Sequence, residues 1–267
     1  MNTRHSAHKR FLVLLLSMLP INVVSVLAQQ DGFDLSCRVS GRVFSVLMNP
    51  ACSLVAISCY RSVASVDGTS ASLTVEPPIG TELRRLEVRS VSNLGLIWGD
   101  DRSGDGGPLR IGWSPDGRFL AVADEALVEV RCSTDGRVVQ RLNAGSTVTC
   151  LSWSPDREHL FMATRHGRVM RWPITQCNAQ EFDRSATLLY PTCLVVSDDG
   201  RHVLLGDGDG FYAVWNACAG DLIKTGALRN ESGNIVEDMD IGIRNAAFTA
   251  DGSRLILAHY DGLLSVI

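Results

Sequence analysis

Lysine is nearly missing from this chain: among 267 residues only Lys9 and Lys224 occur, and arginine supplies the rest of the positive charge. With 25 basic against 29 acidic side chains and no basic stripe, the sequence has no footprint for a phosphate backbone, which excludes nucleic acid as a partner. Enzyme signatures are missing too. There is no Gly-x-Ser-x-Gly elbow, no His-Glu-x-x-His and no phosphate loop opening a helix, and the six histidines are scattered. No catalytic residue and no cofactor is therefore assigned. The eight cysteines contain no Cys-x-x-Cys pair and no Cys/His set at ligand spacing, which argues against zinc. Gly206-Asp207-Gly208-Asp209-Gly210 has too few oxygen ligands for a calcium loop and reads as a hairpin turn, so no metal site is assigned either. No long amphipathic helical period occurs in residues 33–267, while a composition 45% hydrophobic and 20% charged argues against disorder.

The N-terminus has a different composition. Arg4, Lys9 and Arg10 precede an almost wholly apolar run, Phe11 to Ala28, and Val26-Leu27-Ala28 offers small residues before Gln29. This layout matches a secretory signal peptide over residues 1–28, with Pro20 in the run and Ala28 favouring cleavage. The expected location is periplasmic or secreted. The alternative is an uncleaved membrane anchor over residues 11–28, since about eighteen apolar residues just span a bilayer. Removing residues 1–28 takes three bases and no acids, leaving a net charge of −7 for the mature part.

The remaining residues carry a repeat. Eleven positions after Asp156, Asp199 and Asp251 stand Gly167, Gly210 and Gly262, and five further on stand Trp172, Trp215 and Ile267. A looser copy begins at Asp116. A period of about 40–45 residues, built of short apolar runs and Asp-Gly turns, signals propeller blades. The turns read Trp113-Ser114-Pro115-Asp116-Gly117, Trp153-Ser154-Pro155-Asp156, Ser197-Asp198-Asp199-Gly200 and Thr249-Ala250-Asp251-Gly252. They resemble the WD40 family, well over residues 110–267 and loosely over 33–88. The resemblance implies an all-β propeller and a protein-interaction role. No tryptophan is followed by aspartate (Trp172-Pro173, Trp215-Asn216), and the family's Gly-His pair is at best Gly145-Ser146, so its cross-linking tetrad is expected to be missing.

Five blades are expected within residues 29–267, at about 43–88, 110–142, 150–182, 193–226 and 243–267. Six is the fallback, because Leu94 to Trp98 reads as an extra strand in a long connector. The last blade ends at its third strand, and Phe33 to Cys37 occupies the slot of an orphan outer strand. Pairing of residues 33–37 with Leu263 to Ile267 is expected to close the ring; a truncated array is the alternative. Trp113 and Trp153 share one slot, as do Trp172 and Trp215, which points to blade packing. A mostly reduced, buried set of cysteines is expected, with Cys150 and Cys193 the most plausible bridge between blades.

Fourth-to-first-strand connectors and second-to-third-strand hairpins share one propeller face. Residues 89–109 bring Trp98, Asp100, Asp101 and Asp105 there, and residues 229–242 bring Glu231, Glu237, Asp238 and Asp240. Asp124, Glu125, Asp207 and Asp209 sit in hairpins of the same face, so eleven acids converge. On the opposite face each turn aspartate has an arginine close behind it. Long loops on a rigid scaffold are where binding resides. The expected function is an exported, non-catalytic interaction module offering this acidic face to a basic protein partner. The alternatives are a metal-dependent propeller hydrolase or lactonase, or a degenerate repeat protein with no independent function.

Overall fold

The computed structural model describes residues 23–30, 33–40, 42–62, 82–103, 106–182, 188–227 and 242–267. Among these there is no helix, and therefore none long and apolar enough to cross a membrane. Every strand pairing is antiparallel. The chain falls into two compact units, residues 1–48 with 52–105, and residues 49–51 with 106–267.

In the first unit β1 (Val23–Gln30) pairs with β2 (Phe33–Ser40), Gln30 lying opposite Phe33. The partner of residues 33–37 is therefore β1 and not Leu263 to Ile267, which corrects the expected ring closure. Residues 23–28 are rich in valine and suit a strand. Pairing across a two-residue gap costs far less loop-closure entropy than pairing with the far end of the chain. The expected cleavage site at Ala28 falls within β1. Next comes a four-stranded sheet of β3 (Arg42–Met48), β4 (Leu54–Ser62), β5 (Glu82–Ser90) and β6 (Leu96–Ser103). Val55, Ile57, Cys59, Val91 and Leu94 form its apolar cluster. β6 is the regular fourth strand of this sheet rather than an extra strand in a connector, so the five-blade reading stands over the six-blade one.

The second unit holds four more meanders. They are β7 (Arg110–Trp113) to β10 (Val138–Asn143), through β8 (Phe119–Asp124) and β9 (Leu127–Cys132); then β11 (Val148–Trp153), β12 (His159–Thr164), β13 (Val169–Pro173) and β14 (Gln180–Glu181). β15 (Pro191–Val196), β16 (His202–Asp207), β17 (Phe211–Asn216) and β18 (Leu222–Ala227) follow, and β19 (Ile243–Phe248), β20 (Leu255–His259) and β21 (Leu264–Val266) end the series. The second strands are continuous apolar runs because they are covered on both faces: Leu120, Leu160, Leu204, Leu205 and Leu257 are all fully buried. Trp172 and Trp215 share this full burial, and Trp113 and Trp153 are also buried, so the repeated tryptophans are packing residues. Trp153 Nε1 donates to the Gly112 carbonyl of the preceding sheet (3.0 Å), and Arg171 Nη1 donates to the Cys218 carbonyl of the following one (2.7 Å).

The turn between first and second strands is rebuilt four times. The hydroxyl of Ser114, Ser154, Ser197 or Thr249 donates to Asp116, Asp156, Asp199 or Asp251. That carboxylate accepts the backbone N–H two residues on, from Arg118, Glu158, Arg201 or Ser253. The same hydroxyl oxygen accepts the N–H opening the next strand, at Phe119, His159, His202 or Arg254. The residue after each aspartate is left-handed. Gly117, Gly200 and Gly252 take this at φ 68–71°, whereas the third-sheet turn puts Arg157 there at φ 70°.

Candidate functional site

Six of the eleven acids named from sequence lie among the described residues, and they differ in exposure. Trp98, Asp100 and Asp101 lie on β6, not in a loop. Trp98 is buried, Asp101 accepts two bonds from Arg85 Nη1 (both 2.7 Å), and Asp100 accepts one from Arg102 (3.1 Å). Asp124 ends β8 and is half-buried, and Glu125 beside it is exposed. Asp207 is buried at the end of β16, and Asp209 is half-buried in the hairpin beyond it. Asp105, Glu231, Glu237, Asp238 and Asp240, with the rest of the 228–241 segment, lie outside the described residues.

Two buried acids that the sequence did not reveal are structural. Glu87 on β5 accepts from Arg85 Nε and Arg89 Nε, each at 2.7 Å. Burial works against its ionisation, but the two guanidinium groups hold its carboxyl below the usual range. Glu129 on β9 accepts from Arg131 (2.7 and 3.0 Å) and Arg141 (2.9 Å). Asp156, Glu158 and His159 bring three ligand-type atoms within 4.8 Å of one another. The Asp156 carboxylate is already engaged by Ser154 and the Glu158 N–H, so this cluster reads as turn chemistry.

The seven described cysteines are free thiols, and Cys150 and Cys193 are not bridged. Burial pushes the Cys150 thiol up to about 11 and the Cys193 thiol up to about 12, so both are protonated and poor nucleophiles. Cys59 is buried as well, whereas Cys52, Cys177 and Cys218 are exposed, which corrects the expectation of a mostly buried set.

A pocket of about 340 Å³ opens where three segments of the second unit meet. Ser146 and Thr147 come from the connector into β11, Arg165 and His166 from the β12–β13 hairpin, and Leu189 and Tyr190 from the connector into β15. These are the segment types that the sequence assigned to the binding face, but none of the six residues was singled out. Their backbone is fixed. Arg165 N–H donates to the Thr147 carbonyl (2.8 Å), and Gly208 N–H donates to the Tyr190 carbonyl (3.2 Å).

Asp207 is the anchor of this arrangement. Its Oδ1 accepts the N–H groups of Asp209 (3.1 Å) and Phe211 (2.8 Å), closing the β16–β17 hairpin, and its Oδ2 accepts the Leu189 N–H (3.2 Å). Burial raises its carboxyl pKa, outweighing these three donors. The connector is also gripped from the other side: a side chain at Gly167, itself at φ 74°, would meet the Leu188 carbonyl at 2.2 Å. Held between these supports, Tyr190 sits in the left-handed region at φ 57°, with Leu189 52% and Tyr190 63% exposed. The two exposed side chains therefore stand on a backbone held at Leu189 N–H and at the Tyr190 carbonyl.

Comparison with known proteins agrees with this architecture. A family model described as the anaphase-promoting complex subunit 4 WD40 domain matches residues 79–156. The WD repeat-containing protein dyf-2 of Caenorhabditis elegans is 26% identical over 121 residues, which are 44% of this chain. They are only 9% of dyf-2, so the match spans a small part of that relative. The β-propeller domain of Cps50 (Swd1) from Myceliophteria thermophila superposes with a TM-score of 0.59 at 15% identity, covering 91% of this chain and 67% of that one. Repeated Ser/Thr–Asp turns, five antiparallel meander sheets and the structural likeness show a β-propeller fold, and over part of its length the chain is similar in sequence to WD40-repeat proteins.

Proposed function

We propose that this protein is an exported, non-catalytic interaction module that docks a protein partner on the face formed by its second-to-third-strand hairpins and first-strand connectors. WD40 propellers are generally protein-interaction scaffolds without catalytic activity, and a fold by itself does not specify function. The reading therefore rests on one local observation: the pocket bordered by Leu189 and Tyr190, two large exposed side chains on a connector whose Leu189 N–H is held by the buried Asp207. Tyrosine and arginine, both present here, are the side chains that most often anchor interfaces. Export rests on the Arg4–Lys9–Arg10 and Phe11–Ala28 pattern, and N-terminal sequencing of the protein recovered from its cells tests it. A basic partner would be met by the exposed Glu125 and the acids of residues 229–242, because Asp207, Asp100 and Asp101 are engaged within the fold.

Photocrosslinking tests the docking face. Benzoylphenylalanine placed at position 190 is expected to capture a discrete partner in the source cell, while the same probe at Arg201, in a first-to-second-strand turn, captures none. Equal capture from both positions, or none from position 190, would sink the reading.

A further inference from the structure

We infer that the pocket of Ser146, Thr147, Arg165, His166, Leu189 and Tyr190 is a site for an acidic peptide, taking a carboxylate side chain of the partner beside an apolar one. This rests on the docking reading above and gives it a ligand chemistry. The polar side chains of Ser146, Thr147, Arg165, His166 and Tyr190 make no hydrogen bond or ion pair within the described structure. Other arginines of this unit are engaged, Arg131 and Arg141 on Glu129, Arg168 on Glu181 at 2.7 Å, and Arg157 on Asp116 at 3.2 Å, whereas Arg165 lines the pocket without such a pair. The pocket thus gathers donors that the fold does not use.

Two acids of this unit are turned to partners within the fold. Asp207 points its carboxylate at three backbone N–H groups, and Glu181 is held by Arg168. What remains is a guanidinium, an imidazole and three hydroxyls around one cavity, next to the apolar surfaces of Leu189 and Tyr190. A guanidinium fork matches a carboxylate in bidentate geometry, and the hydroxyls can donate to its remaining lone pairs. A lysine-rich segment would find no acceptor of opposite charge on the pocket wall. At about 340 Å³ the cavity is at the lower end of ligand-pocket sizes, large enough for one or two side chains but not for a folded element. The cation sits in a protein of net charge −4, so the attraction is local and falls with added salt.

The test uses the full chain and a short fluorescein-labelled peptide in which glutamate alternates with leucine, read by fluorescence anisotropy. Saturable binding is expected, with no binding of the version carrying lysine in place of glutamate. Arg165→Glu is expected to weaken it by about tenfold or more, as loss of a charge-assisted bond should. Leu189→Ser should also weaken it, while Arg201→Glu on the opposite face leaves it unchanged. Arg165 and Leu189 are exposed, so thermal melts of both variants should match the parent. A version with phosphoserine in place of glutamate binding at least tenfold tighter would overturn carboxylate as the ligand. Binding of the lysine peptide that is lost in Leu189→Ser would overturn the anion assignment and leave the docking face standing. Unchanged affinity in Arg165→Glu, or no binding of the glutamate peptide, also overturns the proposal; failure of the docking face itself is read separately by the position-190 crosslink.

Discussion

The turns between first and second strands and the pocket on the opposite side are built from similar residues, serine, threonine, aspartate and arginine, yet they behave differently. In the turns the serine or threonine hydroxyl both donates to an aspartate and accepts the N–H of the next strand, and the pattern is repeated in four sheets. In the pocket the hydroxyls of Ser146, Thr147 and Tyr190 engage nothing in the described fold. A polar residue recurring at a fixed place in every repeat is closing a turn. The pocket residues stand outside that repeated pattern. The repeated tryptophans teach the same lesson, since all four lie in the core.

The comparison can be broken by substitutions that should separate stability from binding. The largest effect is expected at Gly167, where alanine combines a left-handed backbone with a Cβ at 2.2 Å from the Leu188 carbonyl. Gly167→Ala should destabilise by about 2 kcal/mol or more in urea unfolding, and it should also weaken the peptide by moving Leu189. Ser197→Ala should cost about 1–3 kcal/mol, because the His202 N–H loses its acceptor beside a buried strand, yet leave peptide affinity unchanged. If Ser197→Ala weakened the peptide as much as Gly167→Ala, the separation of the two faces would fail.

Asp207→Asn sharpens the contrast from the other side. Its amide can still accept at one oxygen, but the second position becomes a donor facing the Leu189 N–H. Peptide affinity should fall severalfold in the anisotropy titration, whereas the same change at Asp199 should leave it intact.

Acid provides a fourth test. Asp199 is held below the usual carboxyl range by the Ser197 hydroxyl and then by the Arg201 N–H, and Asp251 is pushed down to about 2 by the Thr249 hydroxyl and Ser253. Burial opposes ionisation of Asp116 and Asp156, but the serine hydroxyls and backbone N–H groups prevail and lower them too. A lowered folded-state pKa stabilises above the unfolded value, about 3.9, and that contribution is lost as pH falls through the folded value. The midpoint of thermal unfolding should therefore drop between about pH 4 and pH 2. Asp207 has the opposite sign: its raised pKa means that its ionisation costs stability as pH rises above about 4. The Asp207→Asn variant should accordingly show a flatter stability profile above pH 4 than the parent. The smallest effect is expected for Arg157→Gly. Relief of the left-handed arginine is set against greater chain entropy and the loss of an exposed pair with Asp116, for a net gain of about 1 kcal/mol or less.

By itself the sequence determined the repeat, the strand type and the turns. A period of about 40–45 residues with Ser/Thr-x-Asp turns and unbroken apolar runs such as Val203-Leu204-Leu205 leaves few foldings other than stacked antiparallel meanders. These features are local: each turn closes on itself within a few residues, as Ser114 does with Phe119, so its chemistry is visible in the string. The segment types that the sequence offered for a binding face are those that line the pocket. What the sequence did not display is which cation lies across the sheet from each acid: Asp101 meets Arg85 only once β5 and β6 pair. The sequence also mistook the partner of residues 33–37, since alternating apolar residues fit more than one strand edge. The pocket was decided by tertiary structure alone. Arg165, His166, Leu189 and Tyr190 are brought together by the adjacency of two sheets. The one hint in the string was Tyr190-Pro191, an aromatic before proline at the head of a first strand, where the other repeats have no such pair. Packing between sheets is set by the fit of whole surfaces rather than by any short pattern, and that is why the fold was legible in the sequence and the pocket was not.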